Sequence, residues 1–181
     1  MAFPIEIDAH QLSYLSFRIP DVTPDWMDIR TIRKWDMSEG RYTLTCGSGH
    51  PLGFTVTANG TVEYDAIHDP YVAGRGTDRL EIVGYAVTVD ATRPSHPQFF
   101  IPGVTNQWTD AQAPQTFQLL PGTYYLHHAS GQATAFLVTA QGTIDYDPAL
   151  DVPPGSTQGV FRGRGSATLE LVGYTVTVDA T

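Results

Sequence analysis

The chain has 181 residues, 41% of them apolar, and a formal net charge of −9. Such a composition belongs to a globular protein, long enough for one large domain or two small ones. An acidic surface without a Lys/Arg cluster repels phosphate backbones and anionic bilayers, so neither nucleic acid nor membrane is an expected partner.

The first stretch, Ile5-Glu6-Ile7-Asp8-Ala9-His10, alternates in the manner of a strand. The opening residues contain neither the basic nor the apolar region of a signal peptide, which makes a cytoplasmic location the default expectation. Residues 25–34 place Trp26, Ile29 and Ile32 near helical spacing after Thr23-Pro24, and this allows one short helix. Strands follow at 35–37 and 42–44, joined through Gly40. Phe54 and Val56, then Val62 and Tyr64, alternate on either side of Asn59-Gly60, a strong hairpin signal because both residues tolerate positive φ. Residues 80–90 and 169–179 form the longest strand candidates. Their apolar phase slips beside Gly84 and Gly173, which marks a bulge or a bend that carries the chain from one sheet to another.

The second half repeats the first. Residues 40–65 match 122–147 without gaps at an offset of 82, with 13 of 26 identical. Residues 74–92 match 163–181 at an offset of 89, with 14 of 19 identical, and residues 17–26 match 99–108 with six of ten. The additional residues fall between Asp151 and Gly163, where Val152-Pro153-Pro154-Gly155-Ser156 has loop composition. In the second copy Gln141-Gly142 replaces Asn59-Gly60 and favours a type I turn with a Gly bulge. Leu120-Pro121-Gly122-Thr123 suits a type II turn. The 5–10 pattern returns at 87–92 and 176–181. These features predict an all-β protein with little or no helix. It would comprise two tandem homologous sandwich-like or barrel-like modules, residues 1–92 and 93–181, packed with pseudo-twofold symmetry.

Candidate site residues come from positions that both copies keep. Arg75 and Arg164 sit in repeated Gly-Arg-Gly turns, where a guanidinium fork suits a carboxylate or a pair of sugar hydroxyls. The competing reading is an Arg that locks its own turn by pairing with a nearby Asp, such as the one in the Tyr-Asp pair. Asp65 and Asp147 belong to acidic sets, Glu63/Asp65/Asp69 and Asp145/Asp147/Asp151. Their spacing offers hard oxygen ligands but lacks the EF-hand pattern, so solvated strand-end carboxylates are the simpler account and no metal is expected. Trp26 and Trp108 follow Ile-Pro at the same spacing; each is a stacking platform or a cap on its own core. His127 and His128 are adjacent in a strand and point to opposite faces. The lone cysteine, Cys46, precludes an internal disulfide and suits a reducing compartment. No nucleophile, zinc or phosphate-loop motif is present, and no cofactor is implied.

A non-catalytic binding protein follows, with carbohydrate or protein as its ligand. Alternative readings are a structural β-repeat that self-assembles through edge strands and a small-molecule isomerase, cyclase or hydrolase working in a barrel cavity.

Overall fold

The computed structural model describes residues 1–23, 25–47, 50–94, 98–128, 133–152 and 160–173. Among these residues the regular structure is all-β apart from two single 3-10 turns. Two compact units form. Unit 1 comprises Met1–Tyr85 with Pro102–Asn106 and Gln118–Pro121, and unit 2 comprises Ala86–Ile101, Gln107–Phe117 and Gly122–Thr181.

The first nine strands are β1 (Ala2–Asp8), β2 (Ser16–Arg18), β3 (Met27–Asp28), β4 (Arg33–Ser38), β5 (Gly40–Cys46), β6 (His50–Val56), β7 (Val62–Glu63), β8 (Val72–Ala73) and β9 (Arg79–Ile82). They make a four-stranded sheet, β4-β1-β9-β8, and a five-stranded sheet, β3-β2-β5-β6-β7. The remaining strands are β10 (Tyr85–Asp90), β11 (Gln98–Phe100), β12 (Thr109–Asp110), β13 (Gln115–Leu119), β14 (Gly122–His128), β15 (Ala133–Val138), β16 (Ile144–Asp145), β17 (Phe161–Arg162) and β18 (Thr168–Leu171). Their sheets, β13-β10-β18-β17 and β12-β11-β14-β15-β16, repeat the same two strand orders. One β pattern has thus been laid down twice.

Each sheet buries one face, as period-two alternation dictates. In unit 1, Ile5, Ile7, Met37, Val72, Leu80 and Ile82 form the buried face of the four-stranded sheet. Phe17, Leu44, Cys46, Leu52, Phe54 and Val62 form that of the five-stranded sheet. The second copy places Val87, Val89, Leu169 and Leu171 on the first, and Phe99, Tyr124, Leu126 and Phe136 on the second.

The resemblance of residues 5–10 to 87–92 has a topological meaning. β1 pairs in parallel with β9, and β10 pairs in parallel with β18, in matching register. Each is the opening strand of its own four-stranded sheet. The long 80–90 strand breaks at Gly84, whose φ of +73° turns the chain out of the sheet of β9 and into that of β10. A Cβ there would lie 2.7 Å from Leu12 Cδ2. In the corresponding 169–179 segment, Thr168–Leu171 is strand; residues 174–181, the 176–181 copy included, lie outside the described residues, as do residues 153–159.

Three local expectations are corrected. Residues 25–34 form no helix. Asp28 accepts a hydrogen bond from Arg30 N at 2.9 Å on its side chain and from Thr31 N at 3.0 Å on its carbonyl, and this turn competes with a helix. Only Ile29 of the three spaced apolar residues is buried; Trp26 and Ile32 face solvent. The Asn59-Gly60 turn has no positive φ at Asn59. The Thr57 hydroxyl accepts from Asn59 N at 3.3 Å and Thr61 N at 3.2 Å, and Thr139 does the same for Gln141 N and Thr143 N, so both copies adopt one turn. The Leu120–Thr123 turn closes no hairpin. It takes the chain from β13 in one sheet to β14 in another, and Gly122 has φ +150°, far from the type II value.

Candidate functional site

The Gly-Arg-Gly turns connect β8 to β9 and β17 to β18. A Cβ on Gly74 would stand 1.9 Å from the Arg79 carbonyl oxygen, and one on Gly163 would stand 1.9 Å from that of Thr168. Backbone passes where a side chain would be. Thr77 Oγ1 donates to the Gly74 carbonyl at 2.7 Å, and Ser166 Oγ donates to that of Gly163 at 2.7 Å. Val62 N donates to the Thr77 carbonyl at 2.7 Å and Gly76 N to that of Val62 at 2.8 Å, which ties the turn to β7 of the other sheet. In unit 2, Ile144 N bonds the Ser166 carbonyl at 2.6 Å and Gly165 N bonds that of Ile144 at 2.7 Å.

The two arginines do the same work at these turns. Arg75 pairs with Asp69 and lies over the Tyr64 ring at 5.0 Å; Arg164 Nη2 meets Asp151 at 2.6 Å. Asp65 and Asp147 cap the 3-10 turns Ala66–His68 and Pro148–Leu150, accepting from Ile67 N at 3.1 Å and Ala149 N at 2.9 Å. Among the described residues, no group of three or more His, Cys, Asp or Glu side chains is arranged to hold a metal ion.

Burial pushes the Tyr146 hydroxyl up to about 12, helped by its 2.8 Å hydrogen bond to Asp151. Tyr71 is likewise raised to about 12, first by burial and then by Tyr85 and Asp65. Tyr71 Oη and His68 Nδ1 share a hydrogen bond that fixes the imidazole at the end of the first 3-10 turn.

Beside this end of each five-stranded sheet lies a cleft on the solvent face. In unit 1, of about 540 Å³, it includes Arg41, Gly53, Thr55, Glu63, Asp65 and His68 in its lining. In unit 2, of about 530 Å³, the equivalent cleft includes Thr123, Ala135, Leu137, Asp145, Asp147 and Leu150. Register aligns Arg41, Thr55 and Glu63 in one cross-strand row, and Thr123, Leu137 and Asp145 in the matching row. A small residue forms the floor of each cleft. A Cβ added at Gly53 would meet nothing within 4 Å.

Trp26 and Trp108 stand at the opposite edge, next to β3 and β12, and are 44% and 47% exposed. Four strand spacings, roughly 19 Å, separate that edge from the Tyr-Asp edge. The repeated residues therefore mark two ends of one sheet face. Asp65, Tyr64 and Arg75 gather at one end, and Trp26 lies at the other with the Arg18 guanidinium 5.0 Å from its ring centroid.

Between these ends are residues that the repeat pattern does not single out. In unit 2, Trp108 lies 6.3 Å from Phe100, and Phe100 lies 5.9 Å from His127, its cross-strand partner. Tyr125 and Leu137 continue on the solvent side at 55% and 38% exposure. Unit 1 has Arg18, Thr45, Thr43 and Thr55 at these positions. A signal for them does exist in the sequence. Outward positions that are polar in one copy and apolar in the other show that the faces have diverged. The face as a whole supplies aromatic surface for stacking, and carboxylate oxygens that accept hydrogen bonds.

No family model matches the chain, and no curated protein does. Among solved structures, the pilus adhesin SpaC from Lactobacillus rhamnosus GG is similar over 94% of this chain at 14% identity, with a TM-score of 0.32. The chain spans 30% of that protein's length. A likeness this distant bears on neither site nor ligand.

Proposed function

We propose that this is a non-catalytic binding protein directed at carbohydrate, with the solvent faces of the five-stranded sheets as its ligand surfaces. One observation carries the reading: each unit sets an exposed tryptophan at one edge of that face and a cleft with two carboxylates at the other. Sugar rings offer apolar C–H faces that stack on aromatic rings, and hydroxyls that donate to carboxylates. Duplication supplies the chain with two such faces. The Gly-Arg-Gly arginines support the face indirectly, because their pairing with Asp69 and Asp151 holds the turns beside the clefts.

A glycan array probed with the full chain, with Trp26→Ala, with Trp108→Ala and with the double variant tests this reading. Both side chains are exposed, so circular dichroism of the variants should match the parent. The parent is expected to retain a restricted set of glycans and the double variant to lose them. An array without signal, or a double variant that binds as the parent does, removes carbohydrate from the account.

A further inference from the structure

The two faces are built on one plan, but their chemistry differs. On unit 2 the apolar positions form a diagonal track. Trp108, Phe100 and His127 make one cross-strand row, Tyr125 lies opposite Ala135 in the next, and Leu137 lies beside Asp145 in the row beyond. Four strand spacings and four residues along the strands make the track roughly 23 Å long. Ala133 and Ala135 are small residues along its course, and Asp145 and Asp147 mark its far end. Among the described residues, no Arg, Lys or His lines the cleft at that end.

Unit 1 interrupts the same track. Arg18, Thr45, Thr43 and Thr55 replace Phe100, His127, Tyr125 and Leu137, and Arg41 and His68 join the cleft. The unit 1 face carries charge and hydroxyls; the unit 2 face carries rings and methyl groups. The exposed Tyr, Leu and Trp along one solvent face spread apolar area over several strands, more than a single sugar is long enough to cover.

We propose that the unit 2 face binds a linear segment of several sugar rings from a neutral or amino-bearing polysaccharide, laid from Trp108 to Asp145, and that unit 1 does not share this ligand. This rests on the reading of the sheet faces as carbohydrate surfaces and adds the ligand's length, its charge class and the unit that holds it. Two carboxylates at the end of the track and a net charge of −9 select against uronic-acid and sulfated polymers. An amino sugar at that end gains a charge-assisted hydrogen bond.

The full chain is assayed for retention on cellulose, chitin, chitosan, xylan, mannan, β-1,3-glucan, polygalacturonate and hyaluronan. Oligomers of the retained polymer, from monosaccharide to hexasaccharide, then compete for binding. Retention is expected on at least one neutral or amino polymer and on neither anionic polymer, with the hexasaccharide competing at least tenfold better than the disaccharide. Trp108→Ala, Tyr125→Thr and Leu137→Thr, the last two taking the unit 1 residues, should each weaken binding by about tenfold, a larger loss than Trp26→Ala causes. Retention on no neutral or amino polymer, retention on an anionic one, or a disaccharide as effective as the hexasaccharide overturns the proposal. If the array is positive but binding falls with Trp26→Ala and survives the unit 2 variants, carbohydrate recognition stands and the assignment to unit 2 fails.

Discussion

Cys46 and His128 occupy the same position in the two copies, at the end of β5 and of β14, and each is buried within its unit. Burial acts on them in opposite directions because it penalises whichever form carries charge. It pushes the Cys46 thiol up to about 12, and it lowers His128, with His127 adding to the effect. His50, at the start of β6, is lowered by burial too, and a hydrogen bond to the Pro121 carbonyl offsets part of that. Both imidazoles thus fold in the neutral form, and the unfolded chain takes up protons more readily than the folded one. Stability from these groups is complete above the ordinary histidine value of 6.5 and is lost as pH falls below it. Asp8 behaves differently. Burial raises it, but hydrogen bonds from His10 and Arg79 outweigh burial and lower it overall, so its contribution fades only at pH values below the usual 3.8. Urea denaturation should therefore give lower stability at pH 5.5 than at pH 7.5, and the difference should shrink in His50→Gln/His128→Gln. An equal pH dependence in that double variant would assign the loss to other groups.

At the scale of the element, the Gly-Arg-Gly hairpins combine a tight approach with an open one. Gly74 has φ +98° and no room for a Cβ, whereas Gly76 has φ +77° with nothing within 4 Å. Gly74→Ala meets both backbone strain and a clash with the Arg79 carbonyl, and should cost about 3 kcal/mol or more. Gly76→Ala meets the strain alone and should cost about 1–2 kcal/mol. Urea midpoints of the two variants decide the matter, and equal losses would refute the close-approach argument. The strands, the hairpin at Gly60 and the bend at Gly84 were legible in the sequence because alternation, turn residues and phase slips are local signals. The Arg–Asp pairing was legible only as one of two readings and with the wrong Asp, that of the Tyr-Asp pair: Arg75 reaches Asp69 and Arg164 reaches Asp151, across a segment whose path the sequence does not specify. The helix over 25–34 failed because three apolar residues at helical spacing are outweighed by one Asp that caps a turn. Tyr125, Phe100 and Leu137 lie outside the repeat pattern, at positions where the two copies differ.

At the scale of the whole chain, duplication was plain from sequence, but what each unit gathers depends on long-range pairing. Unit 1 takes in Pro102–Asn106 and Gln118–Pro121, far beyond its own repeat. Ser13 N donates to the Gln118 carbonyl at 3.0 Å, and Gln118 N returns a bond to Ser13 Oγ at 2.9 Å. Leu15 N bonds the Gly103 carbonyl at 3.2 Å, and Leu120 N bonds the Tyr14 hydroxyl at 3.0 Å. Tyr14 is only 2% exposed, and a Cβ on Gly47 would press on its ring at 2.6 Å. A fragment of residues 1–92 contains every strand of both unit 1 sheets yet lacks all four of these bonds. At about 0.5–1.5 kcal/mol each, their loss removes roughly 2–6 kcal/mol, a large share of the 5–15 kcal/mol typical of a domain. The fragment should therefore unfold at markedly lower urea than the full chain, with Tyr14 exposed to solvent in near-ultraviolet spectra. Tyr14→Phe in the full chain removes the bond from Leu120 and should cost about 1 kcal/mol. A 1–92 fragment as stable as the full chain would mean that the first repeat completes its own core and that the segments from the second repeat contribute nothing to it.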